Sequence, residues 1–496
     1  MKYPVRSVSF LWLPLLVGLL GPAGCFSDRH DNRYAYDAVQ ADYADARPRL
    51  APLAEKEPTS QNRAVNRPVN LKEIIEIALA NNPDKMMAIA RIRQAEADLM
   101  RANAAFFPAI GFYTEYMEGD APSAYLFKKI DQRQLPRQTD FNRPGRIENW
   151  ESGLTGRLNL FNGGRNLLGR MMAETGVTIS RLDRQVVENS LVASAIQTYY
   201  NSLAAKAFID IARESVVTVE SQLRVMNVRY RAGGALKSDL LSLQVRLAEA
   251  RQAVVDSENQ YRIALTALSN VMGVAPEPPI RPREARVLPV RVPKHYLGGV
   301  AFALNHRPEL KKVRQQLVRS RMNIDRARAG YLPRLDLQGK YYMDDPDLDY
   351  ETDRENWTVG VMLNWDIFTG FSTRAEELKA KAALEEMLSA DRKTALSVKM
   401  DVKNAYLNAE AAKARLEVAR ASVAAAEESL GLVKKQYEGG SAAITRYLEA
   451  ELDRNRARTR AAAAYYDRDK AIADIARAVG YWARITAGGS ETGGGN

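Results

Sequence analysis

The chain repeats itself, and that repetition limits what it can become. Asn82-Pro83 and Arg307-Pro308 are each followed 25 residues later by another proline, Pro108 and Pro333. Phe161-Asn162-Gly163 answers to Phe368-Thr369-Gly370, Tyr230 with Gly233 to Tyr437 with Gly440, and Gly273 to Gly480, every pair 207 residues apart. The proline pairs stand 225 residues apart, so an insertion of 18 residues lies in the first copy between Pro108 and Phe161. Landmarks recurring in one order mark a structural unit used twice, here of about 200 residues.

Each copy opens with helices. Asn70 with Glu73 makes a capping box for a short first helix, and Pro83 suits the first position of a second helix that ends before Pro108. Beyond that proline the period changes to two: Ile110, Phe112, Thr114 and Tyr116 share a face, as do Leu335, Leu337, Gly339 and Tyr341 in the second copy. The return strands alternate more clearly. Trp357, Val359, Val361, Leu363 and Trp365 oppose Thr358, Gly360, Met362, Asn364 and Asp366, while Trp150, Leu154, Leu158 and Leu160 oppose Glu151, Thr155, Arg157 and Asn159. An apolar face ending in Trp with a polar face behind it is the pattern of a transmembrane strand of about 9 to 11 residues. A soluble hairpin with one face on a core is the alternative. The loop from Gly119 to Asn149, polar and proline-containing, carries the insertion and is expected to lie outside.

Neither the stretch from Gly164 to Tyr230 nor its counterpart from Phe371 to Tyr437 contains proline. If continuous, each is a helix of about 67 residues and about 100 Å, too long for one globular core. A returning helix is expected over Ser238 to Met272, where Leu240, Leu243, Leu247, Ala250 and Val254 step by three and four in the manner of a coiled coil. Its counterpart is alanine-rich (Ala461 to Ala464, Ala471, Ala473, Ala476), which permits close backbone approach.

The expected organisation is an N-terminal signal peptide over 1–24, an extended segment over 25–69, a first repeat over 70–280, a linker over 281–297, a second repeat over 298–482 and a flexible tail over 483–496. Within the repeats the hairpins fall at about 109–161 and 334–368, and the long helices at about 164–272 and 371–480. The signal is read from basic Lys2 and Arg6, the apolar run Phe10 to Leu20, and small residues Gly21, Ala23 and Gly24 before Cys25. Cys25, the only cysteine, resembles the acylated cysteine of a bacterial lipoprotein, although Pro22 stands where a lipobox has Leu. A plain signal with an incidental cysteine is the alternative. The net charge of +11 is spread as interleaved Lys, Arg, Asp and Glu along helical stretches, the signature of a solvated helical surface and not of a nucleic-acid partner.

Four strands cannot close into a barrel, and an open edge in hydrocarbon leaves backbone groups unpaired at several kcal/mol each. Closure must therefore come from further copies, and three chains would supply twelve strands. The double repeat, the Asn81-Asn82-Pro83 and Asn305-His306-Arg307-Pro308 helix starts, the strand ends Leu160 to Gly164 and Trp365 to Gly370, and the turns Tyr230-Arg231-Ala232-Gly233 and Tyr437-Glu438-Gly439-Gly440 resemble the TolC family of outer-membrane efflux proteins over residues 70 to 482. The resemblance implies a mainly α chain with a transmembrane β-barrel part. It also implies a homotrimer embedded in outer-membrane lipid, a coiled-coil helical barrel in the periplasm, and a tip meeting a periplasmic adaptor and an inner-membrane pump. Gly233, Gly234, Gly439 and Gly440 would be the adaptor-contact turns. Tyr437 and Asp239 match the family's tip gate, and Glu449 is an acidic equivalent. Arg446 stands where the family has an acid, and Ala442 replaces its basic partner, so Arg446 is expected to pair with Glu449 or a neighbouring acid.

A catalytic reading has no foothold. His30, His295 and His306 are scattered without metal-ligand spacing, and neither a phosphate-binding loop nor a nucleophile elbow is present. No cofactor is expected. The leading expectation is a passive duct for small molecules driven by its pump; a duct for type I protein secretion and a poreless periplasmic coiled-coil lipoprotein are the alternatives.

Overall fold

The computed structural model describes residues 68–488 except 278, 285–290 and 350–351. The expectations for the signal segment, for Cys25 and for the last residues of the tail fall outside the described residues.

Both repeats begin with two helices meeting at a proline. In the first, α1 (Leu71–Asn81) follows the two-residue strand β1 (Pro68–Val69), and α2 is Pro83–Ala104. The capping box forms: Glu73 N–H donates to Asn70 Oδ1 at 3.0 Å, and Asn70 N–H donates to Glu73 Oε2 at 2.9 Å. After α2 come β2 (Ala109–Gly119), a ten-residue helix α3 (Pro122–Asp131), and β3 (Ile147–Phe161). Two long helices complete the copy, α4 (Arg165–Arg231, 67 residues) and α5 (Lys237–Met272). The linker contributes β4 (Arg281–Pro282), which pairs in parallel with β1. The second copy runs α6 (Tyr296–His306), α7 (Pro308–Arg328), β5 (Arg334–Asp345), β6 (Glu355–Asn364), α8 (Ser372–Glu438, 67 residues) and α9 (Ile444–Ala478), followed by α10 (Tyr481–Gly488). The long helices are unbroken because each lacks an interior proline, and at 1.5 Å per residue each extends about 100 Å.

The two hairpins join into one antiparallel sheet, β2-β3-β5-β6. Its register carries the alternation across all four strands: Phe112 faces Leu154, Leu154 faces Tyr341, and Tyr341 faces Trp357. One face therefore collects Ile110, Phe112, Leu158, Leu337, Val359 and Val361. The other collects Thr155, Arg157, Gln338, Lys340 and Thr358. The apolar side is bare, with Phe112, Trp357 and Val359 at 72%, 72% and 67% exposure. A continuous exposed apolar surface of this kind is what lipid covers. The sheet's two edge strands, β2 and β6, each have one unpaired side. β6 stops at Asn364, where the Trp365 indole turns to donate to Tyr331 O at 3.1 Å.

Part of the loop from Gly119 to Asn149 is folded onto the end of the sheet opposite the long helices. Its helix α3 folds over the sheet's polar side: Lys128 binds Glu151 of β3 and, at 2.9 Å, Asp344 of β5. Gln132, fully buried, donates to Glu148 O and Asn149 Oδ1 at 3.1 and 2.8 Å. The acids on β3 and β5 draw the basic helix inward, and burial requires each polar group there to be partnered.

The helical cores sit where the short helices meet the long ones. Ile74 and Ala78 of α1 pack with Ile196, Tyr199 and Leu203 of α4 and with Leu268 and Met272 of α5. The second copy builds a smaller version from Ala303, Val398, Val402, Ala405 and Ala478. Among the described residues no helix is long and apolar enough to cross a membrane.

Candidate functional site at the helical turns

Each pair of long helices reverses at a glycine turn on the end away from the sheet. Gly233 and Gly440 both adopt the left-handed conformation, φ +71° and +78°, which lets the chain double back without strain from a Cβ. The two turns share one hydrogen-bond plan. Gly233 and Gly440 N–H donate to Tyr230 O and Tyr437 O at 3.0 and 3.1 Å, and Gly234 and Ser441 N–H donate to Arg229 O and Gln436 O at 2.8 and 2.9 Å. Gly439 N–H reaches back to Lys435 O at 2.9 Å.

Behind the turns, four helix ends share one core: Val219 and Met226 of α4, Leu243 and Leu247 of α5, Val433 and Tyr437 of α8, and Ile444, Tyr447 and Ala450 of α9. Tyr437 is buried within it. Its ring stacks on Tyr447 at 5.6 Å between centroids, and the Arg229 guanidinium lies over it at 5.4 Å. Burial pushes the Tyr437 hydroxyl above its usual range, Arg229 pulls it back, and the nearby charge of Asp239 pushes it further up. Tyr437, Asp239 and Arg229 thus form one electrostatic group contributed by three helices.

Arg446 and Glu449 lie elsewhere. Their side chains pair with each other at 3.5 Å on the exposed face of α9, each about two-thirds exposed. A surface pair of this kind contributes about 0.5 kcal/mol or less. Sequence reading singled out neither Arg229 nor Tyr447: Tyr447 joins the site across the turn of its own repeat, and Arg229 joins it because helices from different repeats meet. It also passed over Glu451, fully buried one turn deeper. Glu451 accepts from Ser215 Oγ and Asn455 Nδ2, both at 2.9 Å, and lies 3.9 Å from Arg246 Nε, so α4, α5 and α9 are tied at one point. A carboxylate at a position where the heptad wants an apolar residue was the available signal.

The profile of the outer membrane efflux protein family matches residues 74–274 and 300–481, one segment for each repeat. The chain belongs to this family. It is similar to the pyoverdine export outer membrane protein OpmQ of Pseudomonas putida, 24% identical over 381 residues, covering 77% of this chain and 79% of OpmQ. Protein CyaE of Bordetella pertussis is 25% identical over 393 residues, covering 79% of each chain. A solved membrane protein of Pseudomonas aeruginosa superposes with a TM-score of 0.72 at 21% identity, over 82% of this chain and 93% of that one, which establishes a common fold. Family members are outer-membrane channels, and this chain is an exit duct of that kind. A poreless periplasmic scaffold is thereby set aside.

Proposed function

We propose that three copies of the chain form a twelve-stranded barrel continued by a periplasmic tunnel of helices, the outer component of a tripartite efflux system. Small molecules delivered by an inner-membrane pump and a periplasmic adaptor leave through it passively. The observation that carries this reading is the four-stranded sheet, bare and apolar on one face and open at both edges, joined to helices of about 100 Å. In hydrocarbon such edges must be paired, and identical neighbours are the available partners. The turns around Gly233, Gly234, Gly439 and Gly440 form the tip that the adaptor grips, and Cys25 carries a lipid anchor.

The tip is the narrow end of the duct, and there Tyr437 packs against Tyr447 and beneath Arg229, with the charge of Asp239 nearby. Purified protein in planar lipid bilayers should give discrete ohmic current steps. Replacing Tyr437 and Asp239 together by alanine removes a packed ring and a carboxylate, and the steps should grow several-fold. Absence of steps from the parent protein would refute the duct; steps of unaltered size in the double variant would deny these residues a role in closure.

A further inference from the structure

The helix α3 crosses the polar face of the sheet at one end, and its anchoring is unusually complete for a loop segment. Lys128 bridges Glu151 and Asp344, which also accepts from Asn149 Nδ2 at 2.6 Å. Gln132 binds the start of β3 through Glu148 O and Asn149 Oδ1. At the other side of the sheet, Asn356 Nδ2 donates to Asp131 O at 3.2 Å, and Arg133 donates to Glu355 O at 3.3 Å. Contacts to β3, β5 and β6 hold the helix flat against the end of the sheet opposite the long helices. The side of α3 turned away from the sheet is bare: Phe127 and Ile130, one helical turn apart, are 69% and 46% exposed.

In a barrel built from three such sheets the apolar face looks to lipid and the polar face looks inward, so α3 lies inside the mouth. Twelve strands spaced about 4.8 Å apart and tilted about 40° give a circumference of about 75 Å and a diameter of about 24 Å. A helix with its side chains is about 10 Å thick. Three of them inside a ring of that width leave only a narrow opening between their exposed sides, toward which Phe127 and Ile130 of each copy point.

We propose that α3 is an inward cap that narrows the outer mouth of the duct, its Phe127 and Ile130 meeting the same residues of the other two copies around the axis and Lys128 acting as the residue that positions it. The proposal rests on the trimeric barrel. The close three-copy approach makes the mouth a second constriction, remote from the tip, which widens when the Lys128 ion pairs are released. Phe127 is 69% exposed in the single chain, so Phe127→Cys should leave the fold intact, and the parent chain has only Cys25 as background.

In outer-membrane vesicles a short bis-maleimide should convert Phe127→Cys into covalent dimers, while Val359→Cys on the lipid face, read as a control, stays uncoupled. Adding Lys128→Met should lower the coupling yield several-fold. An intact unheated trimer with Phe127→Cys uncoupled would overturn the cap, as would undiminished coupling in the Lys128→Met background. Absence of any trimer in the unheated sample would instead overturn the barrel beneath it.

Discussion

Gly273→Val should lower the temperature at which the assembled protein comes apart by roughly 5 to 10 °C, or prevent assembly altogether. Gly273 ends α5 in the left-handed conformation, φ +66°, which a β-branched residue adopts only at a cost of about 1 to 2 kcal/mol. Space is the larger obstacle. A Cβ there would come within 2.6 Å of Asn81 O and 2.9 Å of Asn82 Cα. Both are backbone atoms at the junction of α1 and α2, so the junction itself must move, adding about 1 to 3 kcal/mol. The combined destabilisation is about 4 kcal/mol, large for one residue. Gly233→Ala separates the two causes, because its φ is also left-handed but no atom lies within 4 Å of the added Cβ. That variant should lose only about 1 kcal/mol. Migration of unheated samples on denaturing gels over a temperature series reads both outcomes.

Arg307→Ala should cost about 3 kcal/mol, with a corresponding loss of thermal stability. Arg307 is almost fully buried at the junction of α6 and α7. It donates to Ala478 O at 2.9 Å and pairs with Glu309 and Asp401 at 2.9 and 3.3 Å. Truncation strands a buried carbonyl and removes the only cation these two acids are paired with among the described residues, although both acids keep some access to water, which tempers the loss. In the first copy the equivalent position is Asn82, whose amide donates to Val271 O at 2.9 Å. Val271 and Ala478 are 207 residues apart, so both copies satisfy the same helix-end carbonyl by different chemistry. Asn82→Ala, which loses a neutral hydrogen bond and a helix cap to Asp84, should cost less, about 1 to 2 kcal/mol. A ranking with Asn82→Ala as the more damaging change would contradict the charge argument.

These junctions show which parts of the molecule could be read from the sequence. Prolines and glycines were legible because backbone geometry demands them: Pro83 and Pro308 open helices, and Gly233 and Gly440 turn them. The strands were legible because a two-residue period with Trp at its end has few meanings, and the long helices because nothing interrupts them. What escaped depends on meetings between distant residues. Lys128 finds Asp344 across 216 residues and folds the insertion inward, which no local pattern announces. Arg229 reaches Tyr437 from the other repeat, and Glu451 occupies a core position through Ser215 and Asn455. Asn82 and Arg307 hid their common role because the shared feature is the carbonyl they bind, not the residue that binds it.

The mass of the protein extracted from outer membranes in mild detergent, measured by native mass spectrometry, tests the account most directly. Each chain brings four membrane strands and two open edges, so the predicted particle contains three chains and dissociates only on heating. A single chain, folded and soluble without detergent, would contradict it.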